Sequence, residues 1–409
     1  MKYKRIAVIS YHTCPLSDRE GEEIGGMNVY VFELCKQLAE KGYEIDIYTR
    51  SQDKKSPKIV RVTDNLRVIH IIAGKEDKIE KKQLVNYIPE FLTNMFSSID
   101  NNKIVYDLIY SHYYFSGIIG LQIKEKYNIP LFVTFHTLAL MKNLVARDEL
   151  EREDIGRIES ELLIVKKADK IIATSISDGK YLASLYSCPE SKISILTPGI
   201  DLKVFKPQNK NKAKQIIGAD KNHKLILYVG RIEPLKGIDV LLYAMKILLI
   251  NNPQMHVCLW ILGGAVGGKT DKWPKELKRL EQLRKLLDIS TEVTFIERKH
   301  RDELANYYNA SEIVVLPSHY ESFGIVALEA MSCGIPVIAT DTTGVSGLFD
   351  EKYSSLITSA NNPLLLAEKI KHLLTDKNEY QKVRGEVLEK VAELSWKNIA
   401  EKFIKIIEN

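Results

Sequence analysis

The sequence predicts an α/β protein built from two doubly wound domains. Short apolar runs, each typical of a buried strand, alternate with amphipathic stretches of helical period along nearly all of the 409 residues. Such alternation is typical of parallel sheets that helices cover on both faces. The length also suggests two or three domains of about 150 residues each. The alternation breaks at Thr197–Asp201 and in the polar, basic segment 203–214, where we place the linker.

In the N-terminal half, the apolar runs predict strands at Arg5–Ser10, Glu44–Thr49, Leu66–Ile72, Leu108–Tyr110, Pro130–Phe135, Lys170–Thr174 and Lys192–Leu196. Helical periodicity between them predicts helices at Asn28–Lys41, Gly117–Tyr127, Arg157–Ala168 and Asp178–Leu185.

In the C-terminal half, strands are predicted at Leu225–Val229, Val257–Leu262, Val293–Ile296, Ile313–Leu316 and Val337–Ala339. Helices are predicted at Ile238–Leu249, Trp273–Leu287, Arg301–Ala310, Gly324–Ser332, Pro363–Leu374 and Ser395–Ile407. We expect domains at residues 1–200 and 201–392, followed by a helical segment at 393–409. Ligands of such sheets bind outside the carboxyl ends of the strands, so we expect the site in the cleft between the domains.

Composition and charge argue against several classes of function. A net charge of +5 is small for this length, and no basic run interleaved with aromatic residues occurs, so nucleic acid is not an expected partner. The five cysteines are scattered and form no C-x-x-C pair, which predicts reduced thiols in a cytoplasmic protein. No run of about 18 apolar residues occurs, so no transmembrane segment is expected.

Two carboxylates, Glu321 and Glu329, stand eight residues apart in a strand, loop, helix, strand unit. At about 1.5 Å per residue this spacing corresponds to about 12 Å. A glycosidase acid/base pair needs only about 5–9.5 Å between its carboxyl groups. The spacing therefore favours two carboxylates that hold separate parts of one long ligand.

The segment Gly230–Gly237 follows a predicted strand and carries Arg231 and Lys236. An arginine fork and a lysine point charge together suit a diphosphate. Solvated surface cations are the alternative, but the position at the carboxyl end of a strand favours a functional role. No H-E-x-x-H, Cys/His cluster or D-x-D triplet accompanies this segment, so a metal is not expected and these two cations would take its place.

Gly25 and Gly26 lie between the first predicted strand and helix, where backbone N–H groups can approach a phosphate. A plain loop is an equally good interpretation of this pair, and it is not the G-x-G-x-x-G fingerprint of a dinucleotide site. His136 ends a predicted strand, and ligand-binding and structural roles are equally favoured for it. His112 ends another strand, and for it a structural role is favoured.

Together these motifs resemble the retaining, metal-independent glycosyltransferases of family 4, which have the GT-B fold of two Rossmann-like, doubly wound α/β domains facing a central cleft. The resemblance spans nearly the whole chain. The segments 25–31, 111–117 and 136–143 resemble the inositol-phosphate N-acetylglucosaminyltransferases of mycothiol biosynthesis, and more distantly the sucrose-phosphate synthases. It implies that the C-terminal segment 393–409 packs back on the N-terminal domain.

The resemblance implies a role for each donor-site residue. Arg231 and Lys236 would hold the diphosphate, Glu329 the ribose, and Glu321 the transferred sugar. His136 would lie against that sugar, and Arg298 would frame the base. The remaining donor-binding residues are Gly25, Gly26, Ser322, Phe323, Gly324 and Ile325. The catalytic residues would be His136, Arg231, Lys236 and Glu321.

The resemblance also places the acceptor in the N-terminal domain. Its phosphate would be held by Lys81, Tyr113, Thr137 and Arg157, and Asn28 would face the acceptor. Lys75, Lys78 and Lys82 are nearby alternatives for the role assigned to Lys81.

The predicted function is transfer of a sugar from a nucleoside diphosphate sugar, UDP-N-acetylglucosamine or UDP-glucose, to inositol phosphate or a hexose phosphate. No cofactor is expected, and a homodimer is compatible with this prediction. The alternatives are a sugar-nucleotide epimerase of the same fold, a transferase for a lipid-linked or glycan-linked acceptor, and a non-catalytic sugar-nucleotide sensor. Epimerisation needs no acceptor and transfer needs one, whereas a sensor catalyses neither reaction.

Overall fold

The computed structural model describes residues 3–16, 25–264, 273–349 and 355–408. The chain divides into two compact units. The N-terminal unit comprises Met1–Gly199 and Trp396–Asn409, and the C-terminal unit comprises Ile200–Ser395. Each unit is a largely parallel sheet with helices on its faces.

The N-terminal unit contains strands β1 Arg5–Ile9, β2 Glu44–Arg50, β3 Ile59–Thr63, β4 Leu66–Ile71, β5 Leu108–His112, β6 Leu131–Thr134, β7 Lys170–Ala173 and β8 Ile193–Ile195. They pair in the order β3-β4-β2-β1-β5-β6-β7-β8, and only the β3–β4 pair is antiparallel among these strands. Its helices are α1 Gly26–Glu40, α2 Ile88–Asn101, α3 Tyr114–Tyr127, α4 Ala139–Val145, α5 Ile155–Lys167 and α6 Ile176–Tyr186.

The C-terminal unit contains helices α7 Lys210–Ile217, α8 Ile238–Asn251, α9 Lys275–Leu286, α10 Arg301–Ala310, α11 Ile325–Ser332, α12 Pro363–Thr375 and α13 Lys377–Ala392. Its strands are β9 Lys224–Val229, β10 Val257–Gly264, β11 Val293–Glu297, β12 Ile313–Leu316, β13 Val337–Thr340 and β14 Ile357–Thr358. They form a parallel sheet in the order β11-β10-β9-β12-β13-β14. The central strands β12 and β13 are wholly buried, because helices cover both faces of the sheet.

The last helix, Trp396–Glu408, belongs to the N-terminal unit and packs against α1. The ring of Phe403 is buried and stacks on Tyr110 of β5, with 4.9 Å between the ring centroids. An ion pair of 2.8 Å joins Lys41 to Glu401. The last helix is therefore part of the core of the N-terminal unit.

Each predicted strand and helix is present, with ends that differ by at most three residues. The elements that the sequence analysis missed are β3, β14, α2, α4, α7 and α13. The linker prediction for 203–214 is wrong in its second half, because α7 begins at Lys210. Asn209 caps this helix by accepting a hydrogen bond of 3.0 Å from the Lys212 N–H, and Gly218 ends it with φ +73°.

No helix in the described part of the chain is both long enough and apolar enough to cross a membrane.

Candidate functional site

Polar side chains follow three neighbouring strands of the N-terminal unit at their carboxyl ends. His12 comes after β1, Tyr113 directly follows β5, and His136 and Thr137 follow β6. Because β1, β5 and β6 are adjacent and parallel, these side chains lie along one edge of the sheet. This edge is where a ligand of a doubly wound domain binds.

Arg157, on α5, is the buried cation of this edge, with 1% of its surface exposed. Its Nε donates to Oε1 of Glu161 over 2.8 Å, and its Nη2 donates to the carbonyl and hydroxyl oxygens of Thr137 over 2.9 and 3.0 Å. Glu161 is itself fixed, because its Oε2 accepts hydrogen bonds from the Ala139 N–H and the Tyr186 hydroxyl. Hydrogen bonds from two of the three guanidinium nitrogens therefore fix the orientation of the group.

The third nitrogen, Nη1, has no aligned hydrogen-bond acceptor in the described part of the protein. The nearest carboxylate is Oε1 of Glu153, at 2.9 Å, which also forms an ion pair with Lys142. Burial raises the pKa of Glu153, but the charges of Arg157 and Lys142 outweigh burial and leave that pKa at about 2. Glu153 is therefore ionised at neutral pH.

Two cations lie close to the ring of Tyr113. The Nζ of Lys81 is 4.4 Å from the centroid of its ring, and the Cζ of Arg157 is 4.9 Å from it. Its hydroxyl is buried without a hydrogen-bond partner among the described residues, and its backbone φ is +75°. The structure thus brings together all four residues predicted for the acceptor phosphate, Lys81, Tyr113, Thr137 and Arg157.

Asn28 lies in the first turn of α1 and is 2% exposed. Its side-chain oxygen accepts from the Thr13 hydroxyl over 3.0 Å, and its side-chain nitrogen donates to the carbonyl of Cys14 over 3.2 Å. These hydrogen bonds tie Asn28 to the loop after β1. At the start of the same helix, a Cβ atom at Gly25 would meet no atom of the described residues within 4 Å. Gly26 is the first residue of the helix.

His136 and His112 form a pair, with 3.0 Å between Nε2 of His136 and Nδ1 of His112. Burial lowers the pKa of His136 to about 3 and holds the pKa of His112 well below its usual value. Both rings are therefore neutral at physiological pH. His136 can act as a hydrogen-bonding group there, but it carries no positive charge.

In the C-terminal unit, the loop between β9 and α8 carries the two predicted diphosphate cations. Arg231 is exposed, and its Nη1 donates to Oε1 of Glu233 over 2.6 Å. Lys236 is 8% exposed, and its Nζ forms an ion pair with Glu321. Lys236 and Glu321 thus meet at one point, although they stand far apart in sequence.

The close approach of two loops explains this meeting. Gly237 has φ +61°, and a Cβ atom there would overlap the carbonyl oxygen of Pro317, which follows β12. The N–H of His319 donates to the carbonyl of Leu235 over 2.9 Å, which joins the same two loops. Glycine at 237 is therefore required both by the backbone conformation and by the space available.

The loop from Glu321 to Gly324 leads into α11. Ser322 is buried, and its hydroxyl pairs with that of Tyr320 over 3.0 Å. The carbonyl of Phe323 accepts a hydrogen bond of 3.0 Å from the next segment of the chain. Gly324 has φ +90° and precedes Ile325, the first residue of the helix. A Cβ atom at Gly324 would lie 3.5 Å from Cγ of Glu321, so the start of α11 is close to that side chain.

Glu329, on α11, is 3% exposed. Its Oε1 accepts from Nε of Arg301 over 3.2 Å, and its Oε2 accepts from the Tyr308 hydroxyl over 2.8 Å. Burial raises its pKa, although the charge of Arg301 opposes the change. Each carboxylate oxygen retains a second acceptor site for a ligand hydroxyl. Arg298 is exposed in the loop after β11, and its backbone N–H donates to Gly264.

Several residues of these two sets were missed by the sequence analysis: His12, Lys142, Glu153, Glu161, Tyr186, Glu233, Arg301 and Tyr308. The spacing of four residues between Arg157 and Glu161 on one helix was an available signal. Glu153 also stands four residues from Arg157, and Glu233 stands two residues from Arg231. The contacts of Tyr186 with Glu161 and of Tyr308 with Glu329 join more distant parts of the chain, which no local pattern shows. Within the described ranges, no group of three His, Cys, Asp or Glu side chains is arranged to hold a metal ion.

Comparison with known proteins identifies the family. The family model described as Glycosyltransferase Family 4 matches residues 24–204, and the model described as Glycosyl transferases group 1 matches residues 209–387. A D-inositol 3-phosphate glycosyltransferase of Nocardiopsis dassonvillei is 31% identical over 98% of this chain and 94% of its own length. The chain belongs to this family of glycosyltransferases. It is therefore an enzyme of the glycosyltransferase class.

A second relative and two solved structures are also similar to this chain. The D-inositol 3-phosphate glycosyltransferase of Corynebacterium jeikeium is 34% identical, with 99% of this chain and 96% of the relative covered. The structure of sucrose-phosphate synthase from Thermosynechococcus elongatus matches with a TM-score of 0.88 and 30% identity, covering 99% and 98% of the two chains. The Anabaena protein HepE shares the fold, with a TM-score of 0.74 at 17% identity and full coverage of both chains. The predicted family and the predicted pair of Rossmann-like domains of GT-B type are confirmed.

Replacing Gly237 by Ala should destabilise the C-terminal unit strongly. The positive φ costs about 1–2 kcal/mol for a residue with a Cβ atom, and the overlap with Pro317 adds to that cost. Gly218→Ala is a matched control, because Gly218 has φ +73° but no neighbour among the described residues within 4 Å of the added atom. Urea unfolding should show a loss for Gly237→Ala that is larger by about 1–3 kcal/mol. Equal losses would show that the two loops do not approach each other as described.

Proposed function

We propose that the protein is a retaining, metal-independent glycosyltransferase that moves a sugar from a nucleoside diphosphate sugar to a small phosphorylated polyol. UDP-N-acetylglucosamine or UDP-glucose is the proposed donor, and inositol phosphate or a hexose phosphate is the proposed acceptor. The names of the relatives support an inositol phosphate acceptor, because they are D-inositol 3-phosphate glycosyltransferases.

One observation carries the proposal for the acceptor. Lys81 and Arg157 both lie close to the ring of Tyr113. The buried hydroxyl of Tyr113 and the Nη1 group of Arg157 both lack an aligned partner among the described residues. Buried donors without acceptors cost free energy unless a bound group satisfies them. A phosphate supplies acceptor oxygens and a charge opposite to that of the two cations. A neutral polyol supplies no such charge.

The donor is proposed to bind in the C-terminal unit. Arg231 and Lys236 would hold the diphosphate, with Glu321 beside Lys236 to accept hydrogen bonds from the sugar. Glu329 would accept hydrogen bonds from the ribose, and its position is fixed by its two protein partners. The ion pair of Lys236 with Glu321 supports this arrangement, because the side chain proposed for the diphosphate is next to the side chain proposed for the sugar.

The proposed reaction uses no protein nucleophile. The bond from the anomeric carbon to the diphosphate breaks, and the acceptor oxygen forms a bond to the same face of that carbon. The proton of the acceptor hydroxyl goes to the leaving phosphate. Negative charge develops on this phosphate, so fixed cations at Arg231 and Lys236 stabilise the transition state more than the ground state.

Incubation with UDP-sugars tests the reaction class. We expect UDP release and a glycosylated inositol phosphate only when donor and acceptor are both present, with the anomeric configuration of the donor retained in the NMR spectrum. The rate should not change in the presence of a metal chelator. Conversion of the donor to its epimer without acceptor would identify an epimerase, and binding without turnover would identify a sensor.

Tyr113→Phe tests the acceptor site with the smallest change, because it removes only the hydroxyl and keeps the ring beside the two cations. A hydrogen bond to a charged group contributes about 1.5–3 kcal/mol, so KM for inositol phosphate should rise about tenfold or more. The KM for unphosphorylated inositol should not change. Tyr114→Phe is the matched control, because the ring of Tyr114 also lies near Arg157, with 5.3 Å from Cζ to the ring centroid. An equal rise for both acceptors in Tyr113→Phe would contradict the assignment.

A further inference from the structure

Glu153 has a fixed place beside the proposed phosphate site. Its backbone N–H donates to Oδ1 of Asn143 over 2.7 Å, and its carbonyl accepts from Nδ2 of the same residue over 3.3 Å. The next residue, Asp154, caps α5 by accepting a hydrogen bond of 2.9 Å from the Arg157 N–H. The backbone of Glu153 is thus anchored both to α4 and to the start of α5.

The carboxylate of Glu153 is shared between two cations. Oε1 lies 2.9 Å from Nη1 of Arg157 and also contacts Nζ of Lys142. The side chain of Arg157 is 1% exposed, that of Glu153 is 18% exposed and that of Lys142 is 26% exposed. Arg157 is therefore the buried partner, and Lys142 is the partner nearer to solvent.

The contact with Arg157 is electrostatic and lacks the alignment of a hydrogen bond. It nevertheless falls on Nη1, the one nitrogen of the guanidinium that Glu161 and Thr137 leave without an aligned acceptor. A phosphate oxygen that binds Arg157 would need this nitrogen. Glu153 and the acceptor phosphate would therefore both lie against this one nitrogen, where their negative charges repel each other.

We propose that Glu153 is a counter-ion of Arg157 that the acceptor phosphate displaces, and that Lys142 retains Glu153 when this happens. This inference rests on the proposed function and adds to it a residue that sets acceptor selectivity. A neutral polyol has no charge with which to displace Glu153, so Glu153 continues to offset the charge of Arg157. A phosphate dianion has the charge needed to displace it.

The charges near the site indicate the direction of the effect. Lys81, Lys142 and Arg157 are positive, and Glu153 and Glu161 are negative, so the cluster carries one net positive charge. A bound phosphate dianion overcompensates that charge. Replacing Glu153 by Gln adds one net positive charge and removes the repulsion between the carboxylate and the phosphate.

Glu153→Gln should therefore bind phosphate more tightly than the wild type. We expect KM for inositol phosphate and the dissociation constant for inorganic phosphate each to fall about tenfold, since two like charges at close range repel strongly in a partly buried site. Glu149→Gln is the matched control in the same loop, because it makes the same change of charge but pairs with the exposed Arg152. The control should leave both constants unchanged.

A second variant tests the role of Lys142. Lys142→Gln should raise KM for inositol phosphate, because Glu153 would then depend on Arg157 alone. In the Glu153→Gln background the same change should have a much smaller effect, and this coupling distinguishes the proposal from a purely structural role.

The outcomes separate this inference from the proposed function. An unchanged or raised phosphate dissociation constant in Glu153→Gln, in an enzyme that prefers inositol phosphate to inositol, would overturn the inference alone. A wild-type enzyme that shows no preference for inositol phosphate would overturn both.

Discussion

The burial of the Arg157 guanidinium is the constraint on which the proposed acceptor site depends. An unpaired charge in this position would cost several kcal/mol, so the site requires a buried carboxylate partner. Glu161 supplies it and is itself held by the Ala139 N–H and the Tyr186 hydroxyl. These contacts join α4, α5 and α6, so the orientation of one arginine depends on three helices. Their result is a cation whose direction is fixed before a substrate arrives.

The C-terminal unit also pairs its two cations with carboxylates, but the two pairs differ in burial. Lys236 is nearly buried and is paired with Glu321, while Arg231 remains exposed beside Glu233. Gly237 allows the two loops that carry Lys236 and Glu321 to approach each other. In the N-terminal unit the carboxylate that positions the cation lies one turn further along the same helix, whereas in the C-terminal unit it comes from a different segment of the chain. Such pairs fix the position of a charged group before a ligand binds.

The sequence predicted the alternating fold well, because buried parallel strands and amphipathic helices leave strong local patterns. It missed α7 because the helix is rich in lysine, and its cap at Asn209 lies inside a segment that resembles a linker. The four acceptor residues were named only through a family resemblance, and the structure brings them together. Glu153 was missed because it precedes the predicted start of the helix that carries Arg157, although the two stand four residues apart. Lys142 was missed because its contact with Glu153 exists only after α4 has packed beside the start of α5. The proposed roles of all these residues remain predictions.

The most direct test of the account is the affinity of the wild-type protein for inositol phosphate and for inositol, measured by calorimetry in the presence of UDP. The phosphate should lower the dissociation constant by at least about a hundredfold, because two buried donors and the charges of Arg157 and Lys81 act on it. Equal affinities for the two compounds would contradict the claim that this pocket recognises a phosphorylated acceptor.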